Sequence, residues 1–261
     1  MSVLLAAIDP IAFSVGPISV RWYAILIVSA IIIGAAIALK EIERQGLDED
    51  AFLNTLLVAV PCAILGARLY YVIFTWGYYS QHPGEILAIW NGGLAIHGAL
   101  IGALLAGGLM LYHYKQSVWK VFDVAAPCLA LGQAIGRWGN FFNQEAYGYV
   151  VDKAQVPWAM FIDGAYRHPT FLYESIWDFA LFGFLLWLRR RQGVLEGEMI
   201  LSYFIIYSLG RVVIENFRTD SLMLGELRAA QLISLLLIAG AGALIIWRRK
   251  KGRAPLYELR P

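Results

Sequence analysis

The sequence predicts an all-α polytopic membrane protein with seven transmembrane helices, its N-terminus out and C-terminus in, and a small extracytoplasmic head. Three observations predict it. Of 261 residues, 59% are hydrophobic and only 15% charged, against about 45–50% and about 25% in soluble domains. The apolar residues fall into seven runs, each near the roughly 20 residues a helix needs to cross the hydrocarbon core. Lysine and arginine crowd the connections on one side, which marks that side as cytoplasmic.

Residues 1–20, MSVLLAAIDPIAFSVGPISV, lack the basic start and small-residue cleavage site of a signal peptide. They are expected to form a short amphipathic arm on the membrane surface; Pro10, Gly16 and Pro17 argue against one continuous helix. The first span is Tyr23–Leu39, opened by the interfacial Arg21-Trp22-Tyr23 and ended by charged residues over 40–50. The second, Ala51–Thr75, carries Pro61 and Arg68, and a polar, aromatic loop follows over 76–91. The third, Leu94–Tyr114, has His97 in its first turn. The fourth, about 119–136, runs into Arg137. A small extracytoplasmic head element is expected over 149–167. The fifth span is Thr170–Leu188, with Glu174 and Asp178; the sixth is Met199–Asn216, with Arg211 and Glu215; the seventh is Ala229–Trp247. A basic cytoplasmic tail, 248–261, follows, and the whole chain reads as a single membrane-embedded domain.

With the tail inside, the inner connections hold Lys40, Arg44, Lys115, Lys120, Arg189, Arg190, Arg191, Arg248, Arg249, Lys250, Lys251, Arg253 and Arg260. The outer side keeps Arg21, Lys153, Arg167, Arg218 and Arg228. Cys62 and Cys128 sit in apolar runs and read as small buried hydrophobes, not a disulfide. No Cys/His cluster has metal-ligand spacing, so no metal or organic cofactor is implied. No nucleic-acid partner is expected.

This topology gathers the ionisable groups within the spans at one depth, the outer leaflet: Arg68, His97, Arg137, Glu174, Arg211 and Glu215, with Tyr23 beside them. The inner halves are nearly free of charge. A proton or ion path would have groups at mid-depth and on both sides. No internal repeat is evident, which also counts against a transporter. A non-catalytic scaffold would not need arginine and histidine at one depth. Each group also has a plain structural reading. Arg211 and Glu215, four apart, can neutralise each other, with Tyr207 one turn before them. Arg68 can snorkel to the interface. His97 can be a satisfied helix-terminal histidine, and Glu174 can cap its helix start.

The stretch Gly132–Gly148, GQAIGRWGNFFNQEAYG, organises the chain. Gly132, Gly136 and Gly139 let the backbone break or approach a ligand closely. Asn140, Asn143 and Gln144 add neutral donors beside Glu145. Two arginines at one depth repel, and an anion between them removes that conflict. A guanidinium offers phosphate two parallel hydrogen bonds, so Arg137 and Arg211 are candidates for a phosphodiester clamp.

At these residues the sequence resembles bacterial prolipoprotein diacylglyceryl transferases. The core of the likeness is Gly136-Arg137-Trp138-Gly139-Asn140-Phe141-Phe142-Asn143-Gln144-Glu145 with Gly148. Around it, in order, stand Arg21-Trp22-Tyr23-Ala24, Gly66-Ala67-Arg68, Gly92 to Gly98, Arg167-His168-Pro169 with Leu172-Tyr173-Glu174, and Tyr207 through Glu215 to Arg218. The resemblance implies a bacterial inner-membrane enzyme whose active site opens to the extracytoplasmic leaflet. It implies transfer of a diacylglyceryl group from phosphatidylglycerol to the lipobox cysteine of a prelipoprotein. It makes Arg137 the lipid-binding arginine and His97, Tyr23, Asn140, Gly148, Tyr207, Arg211 and Glu215 further site residues. Arg68, Asn143, Glu145, Glu174 and Arg218 are expected to support them. Two positions depart from the pattern: Phe171 where a polar residue is expected, and Ala99 where a glycine is common.

Overall fold

The computed structural model describes residues 9–16, 18–252 and 254–257. Residues 1–8 and Pro17 of the expected arm, and Arg253 and residues 258–261 of the expected tail, lie outside the described residues. In chain order the elements are β1 (Ile11–Val15), β2 (Ile18–Arg21), α1 (Trp22–Gln45), α2 (Glu49–Phe74), the short α3 (Trp76–Tyr79), α4 (Ile96–His113) and α5 (Val118–Asn143). They continue with β3 (Met160–Ile162), β4 (Ala165–Arg167), α6 (Thr170–Leu188), α7 (Glu198–Ile214), β5 (Met223–Leu224), β6 (Leu227–Arg228) and α8 (Ala229–Lys251). Among the described residues seven helices are long and apolar enough to cross a membrane; the sixth, Glu198–Phe217, adds a 3-10 turn to α7. The strands form three separate antiparallel hairpins.

The boundaries differ from the sequence expectation where polar residues have local partners. The first span does not end at Leu39. It continues through the charged residues because Glu41 accepts from Arg44 (2.9 Å) and Gln45 (3.1 Å), three and four residues on. The fourth does not end at 136, and its glycines do not break it. α5 runs unbroken past Gly136, Arg137 and Gly139 to Asn143. Part of the expected surface arm is the hairpin β1–β2. Within the expected head, β3 and β4 form a hairpin whose two-residue turn, Asp163-Gly164, has both φ positive (48° and 76°), the geometry that matches strand twist.

The described residues form two compact units, 9–40 with 122–257, and 41–121. In the first, α1 and α5 run antiparallel with side chains reaching across at successive levels. A Cβ on Gly139 would collide with the ring of Tyr23. Higher up, Gly136 faces Ile27 and Gly34 faces Cys128. The Cys128 thiol donates to Gly34 O (3.2 Å), and neither cysteine is in a disulfide among the described residues. Trp22 stacks on Phe142 (5.2 Å between centroids).

At the far end of this unit, Asp123 on α5 is fully buried and accepts from the backbone N–H of Gly197 (2.5 Å) and Ile200 (3.0 Å). These are orphan donors at the start of α7, so a carboxylate from another helix caps it. A buried carboxylate thus stands in a helix half that was expected to be nearly free of charge. The tail folds back onto the same end: Tyr257 N donates to Val194 O (2.7 Å), and Arg249 pairs with Glu198 (2.5 Å).

In the second unit, α2 and α4 touch backbone to backbone. A Cβ on Gly66 would strike Gly98 O, one on Gly98 would strike Gly66 O, and one on Gly102 would strike Cys62 O. Small residues four apart on each helix allow this approach, the packing that holds helices together in lipid. Asn54 Nδ2 donates to the Tyr114 hydroxyl (2.9 Å) at the other end of the pair. Gly98→Leu should therefore force α2 and α4 apart and cost at least about 1–3 kcal/mol. A lowered thermal midpoint of the detergent-solubilised protein reads the loss, and an unchanged midpoint would refute the close packing.

Candidate active site

Arginines and carboxylates converge in the first unit. Glu174, in the second turn of α6, is 5% exposed. Its Oε1 accepts from Arg211 on α7 and from Arg218 Nη1 (3.2 Å), just past the 3-10 turn. Its Oε2 lies 2.5 Å from Arg137 Nε on α5, a charge contact off the N–H direction, since that oxygen takes no hydrogen bond. Arg211 Nη2 also pairs with Glu215 (2.8 Å), which is 1% exposed. Arg218 grips Asp220 with two donors, Nε (2.9 Å) and Nη2 (2.7 Å). Among the described residues no acceptor takes the two terminal nitrogens of Arg137, whose side chain is 20% exposed.

Local structure sets these positions. Trp138 Nε1 donates to Ser175 Oγ (3.2 Å), which donates to Ala134 O (2.8 Å), so α5 and α6 are tied beside the cluster. Trp177 donates to Ile206 O (2.9 Å) and lies where a Cβ on Gly210 would be, which ties α6 to α7. Past α5, Gln144 and Ala146 adopt positive φ (both 53°), a costly conformation for residues with a Cβ. The Thr170 hydroxyl secures that turn by donating to Ala146 O (2.6 Å). Gly148 then threads between two neighbours: its N–H donates to His168 O (3.0 Å), and a Cβ would strike His168 and Phe217 O. Gly148 is bridged to Arg218 and so anchors the arginine's backbone.

The family follows from comparison. The model of the family described as prolipoprotein diacylglyceryl transferase matches residues 10–247. The chain is 52% identical to the phosphatidylglycerol–prolipoprotein diacylglyceryl transferase of Bacillus licheniformis, covering 97% of each chain. It is 50% identical to the protein of that name from Geobacillus kaustophilus, again over 97% of each. It is 48% identical to the one from Listeria innocua, over 96% of this chain and 93% of that one. The chain belongs to the prolipoprotein diacylglyceryl transferase family.

Within this family member, several expectations need correction. The anion between Arg137 and Arg211 is, in this structure, the protein's own Glu174. Glu174 does not cap α6: the residue before the helix is Pro169, and no side chain caps it. Arg68 does not snorkel. It is 4% exposed and donates to the carbonyls of Glu85 (2.6 Å), Ile86 (2.8 Å), Gly92 (2.7 Å) and Gly93 (3.0 Å), which knits the 85–93 loop onto α2. Asn140 and Asn143 both donate to Glu145 Oε1 (3.1 Å each), so these three form a knot of their own at the end of α5.

The remaining site candidates have the following surroundings. Tyr23 is partly exposed, its ring against Gly139. Tyr207 stacks on Tyr203 (5.8 Å) one turn below Arg211. Phe171, where a polar residue was expected, is buried against Phe141 (4.9 Å) and Trp138 (5.5 Å), so packing takes the place of hydrogen bonding. His97 belongs to the second unit, is exposed, and stacks on Tyr70 (5.8 Å).

Sequence reasoning passed over Gln133, which accepts from the Tyr203 hydroxyl (2.8 Å). Its spacing gave a signal, since an amide one turn before Arg137 in an apolar run needs a partner. It also passed over Ser175 and Asp123.

Asp220 gives the cluster an acid limit. Burial raises its carboxyl, but the Arg218 hydrogen bonds and charge outweigh this and hold it below its ordinary value. A lowered carboxyl contributes stability that is full above the unfolded value, about 3.9, and is lost as pH falls toward the folded one. Amide exchange over 217–228 should therefore quicken below about pH 4, and Asp220→Asn should show that fast exchange already at neutral pH. Exchange independent of both would contradict the pairing.

Proposed function

We propose that this chain transfers the sn-1,2-diacylglyceryl group of phosphatidylglycerol to the lipobox cysteine thiol of a prelipoprotein, the first step of lipoprotein maturation. The observation that carries this is the buried guanidinium cluster whose leading member, Arg137, keeps its terminal fork free. That fork suits one phosphodiester. Relatives about half identical over nearly the whole chain carry the name of this activity.

The thiolate sulfur attacks the glyceryl carbon bonded to the phosphate oxygen. A C–S bond forms as the C–O bond breaks, its electron pair goes to the phosphate oxygen, and glycerol 1-phosphate leaves. Negative charge gathers on the leaving group, where Arg137 and Arg211 stabilise it in a low-dielectric setting. A free cysteine has a pKa of about 8.5, so a base is needed. His97 is assigned that role on the sequence resemblance of its block. Tyr23, Tyr207, Asn140, Gly148 and Glu215 shape the lipid site, and Asn143, Glu145, Glu174, Arg218 and Arg68 support it.

The same reading has the Arg137 end facing the extracytoplasmic leaflet of the bacterial inner membrane, N-terminus out and C-terminus in. Arg189, Arg190 and Arg191, a helix length from Glu174 along α6, support that orientation. Residues 1–20 then form a surface arm, 149–167 a small head, and 248–261 a cytoplasmic tail.

Purified protein, phosphatidylglycerol and a peptide with a lipobox cysteine should yield thioether-lipidated peptide by mass spectrometry; its absence would sink the assignment. Arg137→Lys, which keeps charge but loses the fork, should lower kcat about 10²–10³-fold. His97→Gln should lower it about 10²–10⁴-fold. Near-normal turnover in either variant would remove that residue's role.

A further inference from the structure

We propose that Glu174 is the resting anion of the clamp: it holds Arg137 when no lipid is bound, yields that arginine to the substrate's phosphodiester, and returns to it to displace the glycerol phosphate product. The inference rests on the transferase reading for its ligand and on geometry for the rest.

Three guanidiniums, Arg137, Arg211 and Arg218, form ion pairs with three carboxylates, Glu174, Glu215 and Asp220, and the buried Asp178, one turn past Glu174, adds a fourth carboxyl that acts on Arg137 and Arg211 through space. The cations are already matched by carboxylates before lipid arrives, so a phosphodiester adds negative charge that the three arginines cannot all pair. One carboxylate has to give way, and the pairings say which. Arg211 keeps Glu215, four residues on, and Arg218 keeps Asp220, two residues on, in a two-donor grip. Among the described residues the ion pair of Arg137 is with Glu174.

Glu174 is also the carboxylate best able to let go. Its Oε1 takes hydrogen bonds from Arg211 and Arg218, so it stays paired after release. Its grip on Arg137, like that of Glu215 on Arg211, is a charge contact with no aligned N–H, but among the described residues Glu215 would keep no such hydrogen bonds once it let go. Arg137 already presents its terminal nitrogens to a ligand while its Nε faces Glu174. Exchange therefore trades one oxyanion for another on the same guanidinium, and a small rotation of one side chain is enough.

The chemistry gives the exchange a purpose. The substrate is a diester with one charge. The product is a monoester, with a second ionisation near pH 6, so it carries up to two. Three arginines alone would hold the product more tightly than the substrate and stall each turnover. A tethered carboxylate competing for Arg137 counters that. Glu174 is thus a positioning residue that sets affinity for the head group and the rate of product release.

The test is binding of glycerol 1-phosphate to the detergent-solubilised full chain, measured by calorimetry. Glu174→Gln should bind it at least about tenfold more tightly than wild type, the worth of one charge-assisted contact no longer competed for. In turnover with phosphatidylglycerol and lipobox peptide, the same variant should lower KM and kcat together and deepen product inhibition. A carboxylate that only braces the arginines would give weaker or equal binding, and that result overturns the proposal. If Glu174→Gln does not accumulate as a monodisperse species, Glu174→Asp serves. Its shorter chain draws the carboxylate back and so frees Arg137, and tighter binding is again expected; equal or weaker binding overturns. The two readings separate cleanly. Tighter binding in the variant with no thioether product from wild type sinks the transferase assignment and leaves the exchange standing. Thioether product with no tightening does the reverse.

Discussion

One carboxylate shared among three guanidiniums is the constraint the first unit is built around. Charges within apolar helices are costly, and removing one partner of a buried pair leaves an uncompensated ion worth several kcal/mol. Glu174 comes from α6, Arg137 from α5, Arg211 from α7 and Arg218 from the segment after it. No two neighbouring helices can hold the cluster alone. Its electrostatics therefore demand that three spans keep fixed depth and rotation, and much of the surrounding sequence serves that demand.

Depth and rotation are fixed from both ends of α5. Near its close, the Tyr23 ring seated on Gly139 and the Trp138–Ser175–Ala134 hydrogen bonds set how α5 meets α1 and α6. Fourteen residues before Arg137, about 21 Å along the axis, Asp123 caps the start of α7. A helix held at its start by a carboxylate and at its end by Arg211 and Glu215 has little freedom to slide. The Asp123 contact therefore acts on the guanidiniums from the opposite end of the bundle, through the rigidity of α7. The left-handed turn at Gln144 and Ala146, with Gly148 wedged between His168 and Phe217, fixes the remaining approach, that of Arg218.

The seven spans were legible because apolar length is a property of the chain itself. Their ends were less so. Whether Lys40 to Arg44 leaves the helix depends on whether Glu41 finds Arg44 and Gln45, and composition alone suggests a loop. In the site, Arg137, Arg211 and Glu215 could be placed together because charges inside apolar runs have few reasons to exist and a topology that sorts them by depth. What filled the space between two arginines was harder. A sequence gives the depth of Glu174 but not the direction its carboxylate takes, and a helix start offers an equally reasonable capping role. Arg68 failed for a related reason. Its partners are backbone carbonyls, which every residue has, so nothing in the side-chain pattern of 85–93 announces them. Asp123 was missed because its partners are likewise backbone groups, the amides of a helix 74 and 77 residues away.

A balanced cluster is also better suited to a lipid substrate than a bare cationic one. Every phospholipid head group carries a phosphate, and three unpaired arginines at the bilayer edge would bind any of them and hold it. Binding that is equally strong in the ground state and the transition state does nothing for the chemical step. With Arg211 and Arg218 already paired, the incoming diester gains only the open fork of Arg137 on arrival. On the proposed mechanism, the larger gain comes later, as a second charge develops on the departing phosphate. On that mechanism, the carboxylates that make the cluster tolerable among apolar helices also reserve its attraction for the moment when the C–O bond breaks. Stability in the membrane and selectivity for the transition state draw on the same pairings, so a change at Glu174, Glu215 or Asp220 alters both together.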